Sequence, residues 1–136
     1  MPLLEWSDDY SVGVGELDAH HRKLLDLLNK LHDAMLSGKA KSVIGEILRE
    51  LTDYTVYHFQ EEEKLMEKVE YSELEEHKKA HRKFIVSVGE YNILADKGLE
   101  AFLSSGISNF LGDWLKTHIG GMDKKYQKEM NAGGIR

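Results

Sequence analysis

Two side-chain pairs in one stretch, His58-x-x-x-Glu62 and His77-x-x-x-His81, restrict what this chain can fold into. On a helix, residues i and i+4 share a face, so each pair directs two potential ligand atoms at one point. Buried imidazoles and carboxylates are costly unless they pair or hold a metal ion. What the pairs mean depends on whether that point lies inside the protein.

Apolar periodicity places it there. Leu17, His21, Leu24, Leu28, Leu31 and Met35 recur at steps of three and four, the inward seam of a bundle helix, and Ser37-Gly38 supplies a C-terminal stop. A second seam reads Ile44, Ile47 or Leu48, Leu51, Tyr54, His58, Glu62 and Leu65; Glu61 is close to the same face, and spacing alone does not choose between Glu61 and Glu62. Ser72-Glu73-Leu74-Glu75 has the form of a capping box, opening a third seam of Leu74, His77, His81, Phe84, Val88, Tyr91 and Ala95. A fourth runs Leu103, Ile107, Phe110, Trp114 and His118, with Asp123 five residues beyond. Five residues rotate a regular helix by about 140° past the first side chain. A π-type widening would bring His118 and Asp123 to one face, and Gly120-Gly121 between them eases such a distortion.

These seams predict an all-α, antiparallel up-down-up-down four-helix bundle forming one domain over residues 1–136. An ordered arm covers 1–16, with Trp6 packed on the body, and helices run roughly over 17–37, 41–68, 72–97 and 99–130. In that topology His21 is near the start of its helix, His58 and Glu62 near the end of theirs, His77 and His81 near a start, and His118 and Asp123 near an end. All of these ends coincide, so the side chains converge at one depth. Any one pair alone is weak evidence, because charge-rich helices produce such spacings often. The conjunction is not, since five histidines and two acids at one level would strain a core with nothing to coordinate. His20 and His32 lie off the cleanest seam and read as solvated or rim histidines. Asp18 and Glu73, each within a turn of a seam histidine, are candidates to orient one from behind.

Composition narrows the chemistry. The chain has 136 residues, a net charge of -6 and no basic stripe interleaved with aromatics, which argues against nucleic acid as a partner. No segment approaches the roughly 18 to 20 apolar residues of a membrane span, and the N-terminus lacks a secretory signal, so the expectation is a cytoplasmic protein, and its acidity favours a monomer. With no cysteine, any metal is held by nitrogen and oxygen. Such ligands suit octahedral iron or manganese. Five imidazoles, two bridging carboxylates and a bridging oxo or hydroxo group fill all but one position on two octahedral ions, leaving a vacancy suited to a diatomic ligand.

The motifs Leu17-Asp18-Ala19-His20-His21-Arg22-Lys23-Leu24, His58-Phe59-Gln60-Glu61-Glu62, His77-x-x-x-His81 and His118-Ile119-x-x-x-Asp123, with Trp6, the Val-Gly-Val run and Tyr126, resemble those of the hemerythrin family, its bacterial members in particular. The resemblance spans nearly the whole chain. It implies a non-haem centre of two iron ions (Fe2+/Fe3+) with a bridging oxo or hydroxo group: His77, His81 and His118 on the fully coordinated iron, His21 and His58 on the iron with the open position, Glu62 and Asp123 bridging. It favours His21 over His20 and Glu62 over Glu61. It also implies reversible dioxygen binding for storage, transport or delivery, in an apolar pocket for which Leu25, Phe59, Leu115 and Ile119 are the candidate walls, with an electron donor or an oxygen-consuming enzyme as partner. Gly120-Gly121 departs from the family motif, where better helix formers are expected.

A catalytic di-iron site, as oxidase, peroxidase or nitric oxide scavenger, is the competing class, alongside oxygen sensing and iron buffering. Ferritin-like oxidases use Glu-x-x-His motifs, and no histidine here has a glutamate three residues before it. The ligand reading predicts that His77→Ala loses metal and destabilises the bundle while His20→Ala does neither. Metal content of the two purified variants checks it, and equal content would overturn the assignment.

Overall fold

The computed structural model describes residues 3–99, 102 and 106–136. Four antiparallel helical segments pack side by side: α1 (Gly15–Leu36), α2 (Lys41–Lys68), α3 (Leu74–Lys97) and a composite fourth segment. The fourth begins as α4 (Ile107–Thr117), widens into a π-helical turn (His118–Met122), tightens into a 3-10 turn (Asp123–Tyr126) and ends in α5 (Gln127–Ala132). The alternation of direction shows in the contacts at the two ends. Lys41 at the start of α2 donates to the Asp96 carbonyl at the end of α3 (2.8 Å), whereas His21 early in α1 meets His58 late in α2 (ring centroids 4.8 Å).

Local chemistry sets the ends of the helices. Gly38 takes a left-handed φ of +71°, and the Gly38 and Lys39 amides donate back to Met35 and Ala34, which closes α1 as a Schellman turn. α2 ends in the same way, with Glu70 accepting the left-handed conformation (φ 52°) and Tyr71 N–H donating to the Met66 carbonyl. The expected capping box at Ser72 does not form. α3 starts at Leu74 after a turn closed by Leu74 N–H on the Tyr71 carbonyl, and Ser72 faces Glu129 at 3.4 Å instead. The fourth segment also differs from its expected seam. Leu103 lies outside the described residues, and the buried line is Ile107, Leu111 and Leu115, with Phe110 and Trp114 half-buried beside it. Those two rings pack on Phe84 of α3 instead of pointing down the axis (5.9 and 4.0 Å).

Two apolar clusters form the interior. The larger gathers Leu24, Leu28, Leu31, Ile44, Leu48, Phe84, Val88, Ile107 and Leu111. The smaller holds Val12, Val14, Leu17, Met66, Tyr71, Tyr126 and Met130. Along α1 the order is Leu17, His21, Leu24; along α2 it is Phe59, Glu62, Met66. A buried polar layer therefore separates the two clusters.

The N-terminal arm runs across both, with Leu4, Trp6 and Tyr10 packed on the larger cluster and Val12 and Val14 inside the smaller. Leu4 exchanges two hydrogen bonds with the Asn29 side chain (3.0 and 2.7 Å), and Arg22 lies over the Trp6 ring (4.8 Å). Asp18 accepts from Ser11 Oγ (2.6 Å) and Val12 N–H (2.8 Å), so its carboxylate anchors the arm and does not orient a histidine. Gly13 sits at φ +72°, where an added Cβ would lie 2.6 to 2.8 Å from the Gln127 side chain. Gly13→Ala is expected to destabilise the protein by about 1–2 kcal/mol, the usual penalty for a left-handed L-residue. Urea unfolding checks this, and an unchanged midpoint would show that the arm carries no such constraint.

Candidate metal centre

The polar layer is built from α1, α2, α3 and the π-helical turn. Each contributes side chains because its seam is interrupted at the same height. His21, Glu62, His77 and Asp123 are wholly buried, and His58, His81 and His118 are at most 5% exposed. The π turn is what admits Asp123: with the helix widened across His118–Met122, His118 Nε2 and Asp123 Oδ1 stand 2.9 Å apart. Glu61 points outward and pairs with Lys64 (3.2 Å), which separates it from Glu62.

The two carboxylates are two-sided. Glu62 Oε1 lies 3.0 Å from both His77 Nε2 and His81 Nε2, while its Oε2 lies 3.2 Å from His58 Nε2 and 3.6 Å from His21 Nε2. Asp123 repeats the division, with Oδ1 at 2.8 Å from His77 Nε2 and Oδ2 at 3.2 Å from His21 Nε2. The donors accordingly fall into two groups that share both acids: Glu62, His77, His81, His118 and Asp123, and His21, His58, Glu62 and Asp123, with ligand atoms within 4.8 Å of one another in each.

These donors fit a metal better than they fit one another. His81 Nε2 and His118 Nε2 face each other at 3.2 Å, and His21 Nε2 and both Asp123 oxygens find no aligned hydrogen bond despite their close neighbours. Buried donors and acceptors that stand 2.8 to 3.6 Å apart without aligning on one another are arranged as ligands around a common centre would be. A cation there would satisfy orphan atoms whose burial otherwise costs about 1–3 kcal/mol each.

Electrostatics reinforces the point. Burial works against the charged form of His21 and His77, but the facing Asp123 and Glu62 carboxylates prevail and raise both to about 9. At His58 burial dominates over Glu62 and lowers the pKa. Burial would raise Glu62 and Asp123, yet the surrounding imidazoles hold both well below the usual carboxylate range.

Around this layer stand groups that sequence reasoning did not assign. Tyr126 is fully buried and its hydroxyl donates to Glu62 Oε2 (2.9 Å), its pKa pushed well above the phenolic range by burial and then by Glu62 and Asp123. Glu63 backs His81, with Oε2 2.8 Å from Nδ1. Glu73, the expected candidate for such a role, faces the Tyr71 hydroxyl (3.4 Å). His20 is not a rim residue, so the expectation that His20→Ala leaves metal content and stability unchanged does not hold, and the variant is no neutral control for His77→Ala. His20 is 8% exposed, and its Nδ1 lies 2.9 Å from His58 Nδ1, because Tyr54, Tyr57 and His58 of α2 cover it. His32 is half-buried, 3.4 Å from Ser108 Oγ. The candidate wall residues Leu25, Phe59, Leu115 and Ile119 are all buried in the larger cluster. Phe59 stacks on His81 (3.7 Å, 5°) and Trp114 on His118 (4.2 Å, 12°).

Residues 12–129 match the family described as the hemerythrin HHE cation binding domain. The chain belongs to the hemerythrin family. Among similar proteins, a bacteriohemerythrin from Stenotrophomonas maltophilia is 37% identical over 132 residues, covering 97% of this chain and 84% of that one. One from Methylococcus capsulatus is 35% identical over 133 residues, covering 97% and 100%. The crystal structure of a wild-type hemerythrin superposes with a TM-score of 0.87 at 34% identity, covering 94% of this chain and 98% of that one. Hemerythrin family and bundle thus agree with the seams, and no helix among the described residues is long and apolar enough to cross a membrane.

The raised His21 and His77 values give a pH signature. Unfolded histidines titrate near 6.5, so the stability these two contribute to the metal-free protein is complete below that pH and lost as pH rises through about 9. The contribution of Glu62 and Asp123, whose folded values are lowered, is lost only in acid. Metal binding requires deprotonated rings, so cations compete with the His21 and His77 protons. The rise in Tm on adding ferrous iron under argon is therefore expected to be larger at about pH 8.5 than at about pH 6.5. Calorimetry at the two values checks it, and a larger gain at the lower pH would contradict the assignment.

Proposed function

We propose that this chain binds dioxygen reversibly at a non-haem di-iron centre, for storage, transport or delivery. The observation that carries the reading is the two-sided placement of Glu62 and Asp123 between a three-histidine and a two-histidine group. His77, His81 and His118 would hold one iron and His21 and His58 the other, with both acids and an oxo or hydroxo group shared. If the ions are octahedral, this donor set would be one ligand short on the two-histidine side. Iron held there would supply redox-active Lewis-acid chemistry suited to dioxygen.

The remaining functions fall to the protein. The imidazoles and carboxylates come from four different segments and would hold the ions in place between them. Tyr126 donates its proton to the Glu62 oxygen facing the two-histidine side and keeps it, since burial and the neighbouring acids strongly oppose ionisation. Leu25, Phe59, Leu115 and Ile119, buried beside the layer, would keep water and protons away from the centre. Carriage rather than catalysis is favoured because the hydroxyl nearest the centre is committed to a carboxylate. We further propose that the protein works in the cytoplasm as a monomer, re-reduced by an electron donor or feeding an oxygen-consuming enzyme.

The test is anaerobic reduction of the iron-loaded protein, followed by air exposure and argon purging in cycles, with the visible spectrum and iron content recorded. An oxygen-dependent charge-transfer band that appears and fades reversibly, at two irons per chain, is the expected result. Immediate decay to the ferric form, with peroxide released or a substrate consumed, would instead make the site an oxidase or a sensor that reports oxygen by being oxidised.

A further inference from the structure

Each histidine that binds metal through Nε2 has a second ring nitrogen, and what that nitrogen meets decides how firmly the ring is aimed. In this layer His21 Nδ1 and His77 Nδ1 have no hydrogen-bond partner among the described residues. His81 Nδ1 is backed by Glu63. On the two-histidine side, His58 Nδ1 is backed by His20 Nδ1 at 2.9 Å, inside the protein. A contact between two Nδ1 atoms is a hydrogen bond only if one ring carries a proton there and the other does not.

Resting on the di-metal reading above, we infer that His20 is a positioning residue, which aims His58 at the metal of the two-histidine group and selects its binding tautomer. For His58 to present an unshared pair at Nε2, its proton must sit on Nδ1, and that N–H must be accepted. His20 Nδ1 is the acceptor in reach, with the His20 proton then on its own Nε2. The His20 ring is in turn held by Tyr54 (5.9 Å, 76°) and Tyr57 (5.6 Å, 50°), and it meets His58 edge to face (5.1 Å, 84°). The acceptor is therefore fixed in place by α2 itself, four residues and one residue before the ring it serves. The three-histidine group lies beyond this contact, so the effect of His20 is confined to one of the two ions.

Acceptor and packing roles make opposite demands on replacements. His20→Phe keeps a ring between the tyrosines but removes the acceptor; His20→Gln loses the ring but keeps an oxygen able to accept from His58. Anaerobic titration of each folded variant with ferrous iron, read by equilibrium dialysis, separates them. Wild-type protein is expected to hold two ions. His20→Phe is expected to weaken one of them about 10- to 100-fold, the usual effect of losing such a partner, and leave the other within about threefold. His20→Gln is expected to keep both within about threefold. If His20→Phe does not fold, His20→Leu carries the same comparison. The inference is overturned if the acceptor-free variant binds both ions as wild type does, if it weakens both equally, or if His20→Gln fails alongside it. A wild-type protein that holds no second ion overturns the di-metal reading itself, and this inference with it.

Discussion

Five imidazoles and two carboxylates occupy a layer between two apolar clusters, and the rest of the structure is arranged around what that layer requires. Isolated charges in such a place would be strongly destabilising. Here every acid oxygen faces at least one ring nitrogen at 2.8 to 3.2 Å, yet several of these atoms lack an aligned hydrogen bond. The layer is compensated electrostatically but not saturated in its bonding. That is the condition expected of a site whose last partner is a cation, and it explains why the polar groups are shared among four segments instead of being paired within one.

The irregular fourth segment follows from the same requirement. A regular helix would carry Asp123 about 140° around from His118, out of the layer. The π turn returns it, at the expense of helix regularity over Gly120-Gly121, and the 3-10 turn after it brings Tyr126 against Glu62. The arm participates as well. With Asp18 holding Ser11 and Val12, the smaller cluster is closed over Leu17, Met66 and Tyr126, directly beneath the polar layer.

The two candidate ligand groups are not equivalent in their surroundings. Behind His81 stands a carboxylate, Glu63, whereas behind His58 stands another imidazole. A carboxylate raises the basicity of the ring it accepts from more than a neutral imidazole does. The three-histidine group thus has the stronger donor set as well as the larger one, which accords with the open position proposed for the two-histidine side.

Much of this was legible in the sequence, and the division has a physical reason. Helical periodicity fixes the height and rotation of a side chain about its own axis, so His21, His58, His77, His81 and His118 could be placed at one end of one bundle from spacing alone, whereas spacing left Glu61 and Glu62 open and the family motif favoured Glu62. The five-residue step to Asp123 called for a π turn. Gly38, one of the few residues comfortable at positive φ, marked the end of α1. Partnership across helices is another matter, because it depends on how neighbouring segments pack. His20 sits a single residue off its seam and is buried only because Tyr54, Tyr57 and His58 of α2 lie over it. Asp18 serves the arm because the arm folds back to reach it, and Ser72 fails as a cap because the chain makes one more turn before α3. Which acid oxygen faces which histidines, and that Tyr126 and Glu63 complete the layer, were likewise decided by tertiary structure. Sequence by itself determined that a polar level exists inside a four-helix bundle; the packing of the four segments decided how its atoms face one another.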